Sequence, residues 1–148
     1  GVIQKRGAVR EVLRTLEAKG WVAILADQNA GAGGTFVEFF GLLASTYATP
    51  AVLAARTGLP IYAAACIRRC RPPLTYEIHV HRLEPPPRGT GESEAAAHLL
   101  REFMASLETW IRRAPEQYNW VHRRWKHRPP GEDLGRDAPR YDHRVASR

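Results

Sequence analysis

What the chain lacks narrows its class first. It has two cysteines, Cys66 and Cys70, too few for the disulfide framework of a small secreted domain. The spacing Cys-Ile-Arg-Arg-Cys makes no zinc site without a second pair, so both are read as reduced thiols. No apolar stretch reaches the roughly 18–20 residues that cross a bilayer, and there is no signal peptide. A Walker loop, a G-x-S-x-G elbow and metal-ligand spacings are all missing. No metal and no cofactor are therefore expected. No internal repeat is evident, and nothing points to a repeat architecture.

What is present is ordinary in amount and unusual in sign. The 148 residues hold enough apolar material, 44%, for one domain with one core. The formal net charge is +7 and the pI is about 10.0. This favours an anionic partner: nucleic acid, an anionic membrane surface, a phosphorylated ligand or an acidic protein. The chain starts at Gly1 without Met, directly before a helical pattern, which reads as a cut through a larger protein.

The pivotal stretch is Trp21 to Gly41, WVAILADQNAGAGGTFVEFFG. Its first six residues are apolar throughout, the habit of a parallel strand buried on both faces. Asp27-Gln28 ends that run, glycines 31, 33 and 34 follow, and then Phe36, Phe39 and Phe40. Before it, Val9, Val12, Leu13 and Leu16 share one helical face, with Gly20 as C′ residue. Residues 27–48 show no clean periodicity. Thr49 as N-cap and Pro50 at N1 start a short helix that Gly58 ends.

Leu59 to Cys66 reads as a second buried strand. Strand, helix, strand predicts a right-handed parallel crossover. Both strand ends would then lie at one sheet edge, where open α/β sheets bind ligands. Asp27-Gln28 would face Arg68, Arg69 and Arg71 there. Leu74, Tyr76, Ile78 and Val80 alternate with polar residues, as in a half-exposed strand. Ser93 caps a long helix carrying Ala96, Leu100, Phe103, Met104, Leu107, Trp110 and Ile111. The fold class is α/β, with residues 1–130 as one domain. Residues 131–148 are polar and charged and read as a disordered tail.

Candidate chemistry was weighed against plainer roles. His79/Glu84 and His127/Glu132 mimic the His-x4-acid pair of acyltransferases. Six histidines in a chain of this composition give about one such hit by chance. Residues five apart on a strand face opposite sides, and Pro129-Pro130-Gly131 holds no helical turn, so neither pair is read as catalytic. The glycines from 31 to 34 could offer N–H groups to an anion or form a plain turn. Phe36, Phe39 and Phe40 suit an acyl chain, a membrane surface or the core. The aromatics and cations from Gln117 to Arg128 suit single-stranded nucleic acid, a lipid headgroup region, or a packed helix end.

Taken together, these strings resemble a known family. L-A-D-Q, then G-G-T-F-V-E-F-F-G and A-S-T, then L-A-A-R-T-G-L-P-I with Arg68 after the strand, then L-E-T-W-I-R-R-A-P-E-Q-Y-N-W-V-H-R-R-W-K-H-R-P-P-G, are similar to the later half of the lipid A biosynthesis lauroyl/myristoyl-type acyltransferases. The likeness covers nearly all of residues 8–131. It implies a partial glycerolphosphate-acyltransferase-like fold, with a mostly parallel sheet and flanking helices. It implies fatty acyl transfer from acyl carrier protein to a hydroxyl of a phosphorylated glycolipid acceptor, at the cytoplasmic face of the bacterial inner membrane. Nucleic acid is not an implied partner. The family's His-x4-Asp/Glu motif belongs upstream of Gly1, so this chain alone is expected to be inactive. Expected substrate contacts are Asp27, Gln28, Arg68, Arg123, Arg124 and Lys126. Phe36, Phe39 and Phe40 are expected to meet acyl chain or bilayer.

Overall fold

A computed structural model describes residues 1–3, 7–69 and 73–132. Cys70, Arg71 and most of the expected tail, 133–148, lie outside the described residues. The element order is α1 (Ala8–Glu17), β1 (Thr35–Phe39), β2 (Leu42–Thr46), α2 (Thr49–Thr57), β3 (Tyr62–Arg69), β4 (Thr75–Arg82) and α3 (Glu92–Arg113), followed by a 3-10 turn at Pro115–Gln117. The fold is α/β, but the parallel sheet is not what forms. The described strands make two separate antiparallel hairpins, β1–β2 and β3–β4.

Helix α3 is the beam between them. Its apolar stripe buries Ala96, Leu99, Leu100, Met104, Trp110 and Ile111. These pack with Val37, Phe39 and Ala44 of the first hairpin, Ala51 of α2 and Ala63 of β3 in one core. A leucine taken out of water in such a place contributes roughly 2 kcal/mol. The cap of α3 is Gly91 rather than Ser93, and that of α2 is Ala48 rather than Thr49.

The end of α1 also moves by one residue. Lys19 takes the left-handed position, with φ 59°, and donates to the Leu16 carbonyl at 2.9 Å. Gly20 donates to the Thr15 carbonyl at 2.8 Å. This is a Schellman pair with Lys19 at C′. Gly20 is needed for room: a Cβ there would lie 2.9 Å from the Thr15 carbonyl oxygen.

The expected strand Trp21–Ala26 is absent; these residues run irregularly and partly exposed. Among the described residues no backbone hydrogen bond pairs them, and burial on both faces needs paired neighbours. Conversely, the stretch read as aperiodic contains the first hairpin. Its turn is Phe40-Gly41, with φ 53° and 76°, flanked by the Phe39–Leu42 pair. Two successive residues at positive φ give the type I′ geometry that fits strand twist. Phenylalanine is a poor residue for that conformation, and α3 holds it there. The Phe40 N–H donates to Glu108 Oε1 at 2.6 Å, and the Arg112 guanidinium lies 4.8 Å from the ring centre.

The second hairpin is inverted relative to ordinary patterning. Glu77 and His79 are partly covered, while Ile78 and Val80 are 71% and 62% exposed. His79 Nε2 lies 3.1 Å from Glu77 Oε1, and its ring stands 6.4 Å from Trp110. Tyr62, Cys66 and Tyr76 share the open face with Ile78 and Val80 by register.

Two glycines separate space from conformation. Gly34 has no positive φ, yet a Cβ there would meet Ser45 Oγ and the Ala30 Cβ far inside contact distance. Gly41 has open space and φ 76°. Gly34→Ala is expected to cost about 2 kcal/mol or more through the clash, and Gly41→Ala about 1 kcal/mol through backbone strain. Denaturant midpoints of the two variants check this; the reverse order would refute the packing of residues 30–34 on β2.

Candidate active site

The segment after α3 folds back over the first hairpin and organises the Asp27 loop. Arg124 is the centre, 1% exposed. Its guanidinium donates to the Ser45 carbonyl at 2.5 Å and to Thr46 Oγ1 at 2.7 Å, and sits 5.5 Å from the Phe39 ring centre. Trp125 stacks on Phe39 at 5.4 Å and donates its indole N–H to the Phe39 carbonyl. Arg128 donates to the Leu43 carbonyl and to Glu132. The Nε groups of Arg124 and Arg128 have no protein partner among the described residues.

Asn29 is the hub that sequence reasoning missed. Its backbone N–H donates to His122 Nε2 at 2.8 Å, and its Nδ2 donates to the Arg124 carbonyl at 3.0 Å. Its Oδ1 accepts from the Gly31 N–H at 2.8 Å and meets His127 Nδ1 at 2.8 Å. The first contact requires an unprotonated Nε2 on His122, since an imidazolium has no acceptor. The contacts to residues 122–127 span 93 to 98 positions in the chain, so no local pattern could reveal them.

Asp27 stands at the entrance to this network. Burial pushes the Tyr118 phenol above its ordinary pKa, the Arg124 charge draws it back, and Asp27 adds to the rise. Burial pushes the Arg124 guanidinium down, opposed by Tyr118 and Asp27. Arginine keeps its proton in proteins, so the cluster holds one fixed cation beside an acid and a neutral phenol.

Asp27, Gln117 and Tyr118 also line an apolar cavity of about 1140 Å³, bounded by residues 20–27, α1, α2, α3 and β3. Gln117 is clamped to β3: the Arg68 N–H donates to its Oε1 at 2.8 Å, and its Nε2 donates to the Arg68 carbonyl at 3.0 Å. Both bonds use Arg68 backbone. The Arg68 side chain is exposed and makes no hydrogen bond or ion pair among the described residues. Arg69, by contrast, pairs with Glu77.

Asp27 and Gln117 thus line one cavity, and Gln117 is bonded to the Arg68 backbone; the expected parallel sheet edge does not join Asp27 to Arg68. Gln28, Arg123 and Lys126 are exposed. Arg124 and Phe39 are turned fully inward, and their visible contacts are structural. Phe36 and Phe40 are half-buried. The Gly31 N–H is taken by Asn29 Oδ1, and the Gly34 N–H faces the Gly31 carbonyl at 3.3 Å, so this loop is a packed turn. Neither His-x4-Glu string converges: His79 meets Glu77, His127 meets Asn29, and Glu132 meets Arg128. Among the described residues no group of three or more His, Cys, Asp or Glu side chains could hold a metal ion.

The Asp27 loop, tied through Asn29 to the segment of the buried Arg124, lies beside an apolar cavity, and neither His-x4-Glu string supplies an acid–base pair there. Comparison with known proteins supplies the class. The family described as "Bacterial lipid A biosynthesis acyltransferase" matches residues 1–127, and the chain belongs to that family. It is 33% identical over 132 residues to the lipid A biosynthesis palmitoleoyltransferase of Escherichia coli and, equally, to a lipid A biosynthesis acyltransferase of Shigella flexneri. Each match covers 86% of this chain and 40% of the relative. The chain thus spans well under two thirds of the length of these relatives.

The buttress is testable by stability. Arg124→Met removes the guanidinium donors to the Thr46 hydroxyl and to the Ser45 carbonyl, which keeps only the Ala30 N–H, and is expected to cost about 3 kcal/mol. Arg124→Lys lacks the planar fork and should recover only part of it. Arg123→Met, next door and exposed, should stay within about 0.5 kcal/mol of wild type. Equal losses at 123 and 124, measured by chemical denaturation, would refute the buttress.

Proposed function

We propose that this chain is part of an O-acyltransferase that moves a fatty acyl group from acyl carrier protein to a hydroxyl of a phosphorylated lipid A precursor. One observation supports the reading beyond family membership: Asp27 and Gln117 line one cavity, and Gln117 grips β3 at Arg68, whose guanidinium makes no hydrogen bond or ion pair among the described residues. In this reading Asp27 and Gln28 orient the sugar part of the acceptor. Arg68, Arg123 and Lys126 attract its phosphates and the acidic carrier protein. Phe36 and Phe40 contact acyl chain or bilayer. The work is placed at the cytoplasmic face of the bacterial inner membrane.

An oxygen nucleophile of this kind needs a general base within hydrogen-bond reach. The two His-x4-Glu strings do not form one, so the chain alone is expected to be inactive. No described helix is long and apolar enough to cross a membrane. Of the two tryptophans that would serve as a nucleic-acid platform, Trp125 is stacked on Phe39, and Trp120, though 44% exposed, is tied by its indole N–H to the Pro115 carbonyl. That favours the acyltransferase reading over a stacking surface for bases.

Arg68→Ala tests it, in an acyltransferase that contains this chain together with the general base. The variant keeps both bonds to Gln117, because those use backbone. Acyl transfer should fall about tenfold or more, the loss expected for one charge-assisted contact, with an unchanged melting temperature. Wild-type turnover would remove Arg68 from the site.

A further inference from the structure

We infer that Tyr118 is a specificity residue of the acceptor site: its phenolic O–H donates to a hydroxyl oxygen of the acceptor's sugar, next to Asp27, which accepts from that sugar. The sugar rests on the function proposed above, while the donor–acceptor pair rests on the geometry. Tyr118, Asp27 and Gln117 all line the large cavity, among mainly apolar neighbours. The charge of Asp27 acts on both the Tyr118 phenol and the Arg124 guanidinium, so the three groups share one neighbourhood.

Elimination singles out the phenol as the available donor. Gln117 commits its Oε1 and Nε2 to the Arg68 backbone. Arg124 commits both terminal nitrogens to β2, and its Nε is sealed from solvent. The Tyr118 hydroxyl makes no hydrogen bond among the described residues. Nor is it one of the sealed unpartnered atoms, which are Arg124 Nε and Arg128 Nε. It is therefore both uncommitted and accessible. The Asp27 carboxylate is half-buried and takes no part in the bonds that hold its loop, which run through Asn29.

The phenol ring is held in place without a ligand. Phe39 and Trp120 meet it edge-on, at 6.2 and 4.9 Å between ring centres, and the Tyr118 N–H donates to the Pro115 carbonyl at 3.3 Å. Burial raises the phenol's pKa, so the group stays a donor at neutral pH. A fixed donor beside a carboxylate suits a hydroxyl, which accepts from the one and donates to the other. A phosphate offers only acceptors and meets the charge of Asp27. An alkyl chain leaves both groups unpaired.

The test titrates the chain itself with two detergents below their micelle-forming concentrations, followed by calorimetry. One is n-octyl β-glucoside, which carries sugar hydroxyls; the other is n-octylphosphocholine, which carries a phosphate and no hydroxyl. Their shared tail cancels binding to exposed apolar surface. The chain should prefer the glucoside. Tyr118→Phe keeps the ring and should weaken the glucoside about fivefold, the loss expected for one neutral hydrogen bond, with phosphocholine affinity and denaturant midpoint unchanged. Asp27→Asn removes the repulsion and should strengthen phosphocholine binding. Equal affinities in the wild-type chain, or a preference that survives Tyr118→Phe, would overturn the proposal. So would a parallel loss of both detergents with a lowered midpoint, because the hydroxyl would then be structural.

Turnover is a separate readout, in an acyltransferase that contains this chain together with the general base. There Tyr118→Phe should lower kcat/KM for the acceptor about fivefold and leave that for acyl carrier protein unchanged. Turnover that Tyr118→Phe leaves intact counts against this residue alone. Glucoside selectivity that depends on Tyr118, without acyl transfer, supports the residue and counts against the function proposed above.

Discussion

The buried guanidinium of Arg124 is the constraint on which the first half of the structure depends. A charge taken out of water is costly unless every direction around it is answered. Here a carbonyl, a hydroxyl and an aromatic face answer it. The same residue offers its carbonyl to Asn29, so one position joins the hairpin, the Asp27 loop and the segment after α3. Packing and electrostatics are inseparable at this point. Trp125 could not lie on Phe39 unless its neighbour were drawn in.

This arrangement divides the molecule into a finished side and an open one. The first hairpin is closed by α3 and by residues 118–128, and Val37, Phe39 and Ala44 are all buried. The second hairpin rests on α3 through one face only. Its other face carries the larger apolar side chains, the reverse of what water selects. A two-stranded sheet with its better apolar face uncovered gains little from burial, which sets β3–β4 apart from the hairpin beside it. Asp27 lines the cavity that β3 and β4 form with the helices, which no residue of the first hairpin lines.

The sequence showed its helices clearly because their information is local. Val12 and Leu16 on α1, Pro50 and Gly58 on α2, and the stripe from Ala96 to Ile111 each mark their element within a few turns. Strand pairing is not local, and there the reading failed twice. Trp21–Ala26 has the composition of a central strand, but composition cannot supply the neighbours that make one. Phe40-Gly41 conceals a hairpin because a phenylalanine at positive φ is tolerated only when Glu108 and Arg112, far along the chain, hold it. At the site, Asp27 and Arg68 stood out as polar residues after apolar runs, though only the second run forms a strand. Asn29 and Gln117, which connect them to the rest, were not, because their partners lie 49 to 98 positions away.

The net charge of +7 needs the same division. Taken as a surface property, it argues for an anionic partner in proportion to its size. Yet Arg124 and Arg128 direct their donors at carbonyls of β2 and its flank, and Arg112 lies over an aromatic ring beside Glu108. Arg124 and Arg128 hold the fold and are shielded from a partner's field, whereas Arg112 keeps most of its side chain in water. Other cations keep their side chains in water, Arg68 on β3 and Arg123 and Lys126 on the segment that carries Arg124 among them. Alternation along that segment puts one arginine into the core and its neighbour into water. A run of basic residues that reads as a uniform patch therefore has two settings, an internal clamp and a solvated side chain, separated by a single peptide bond.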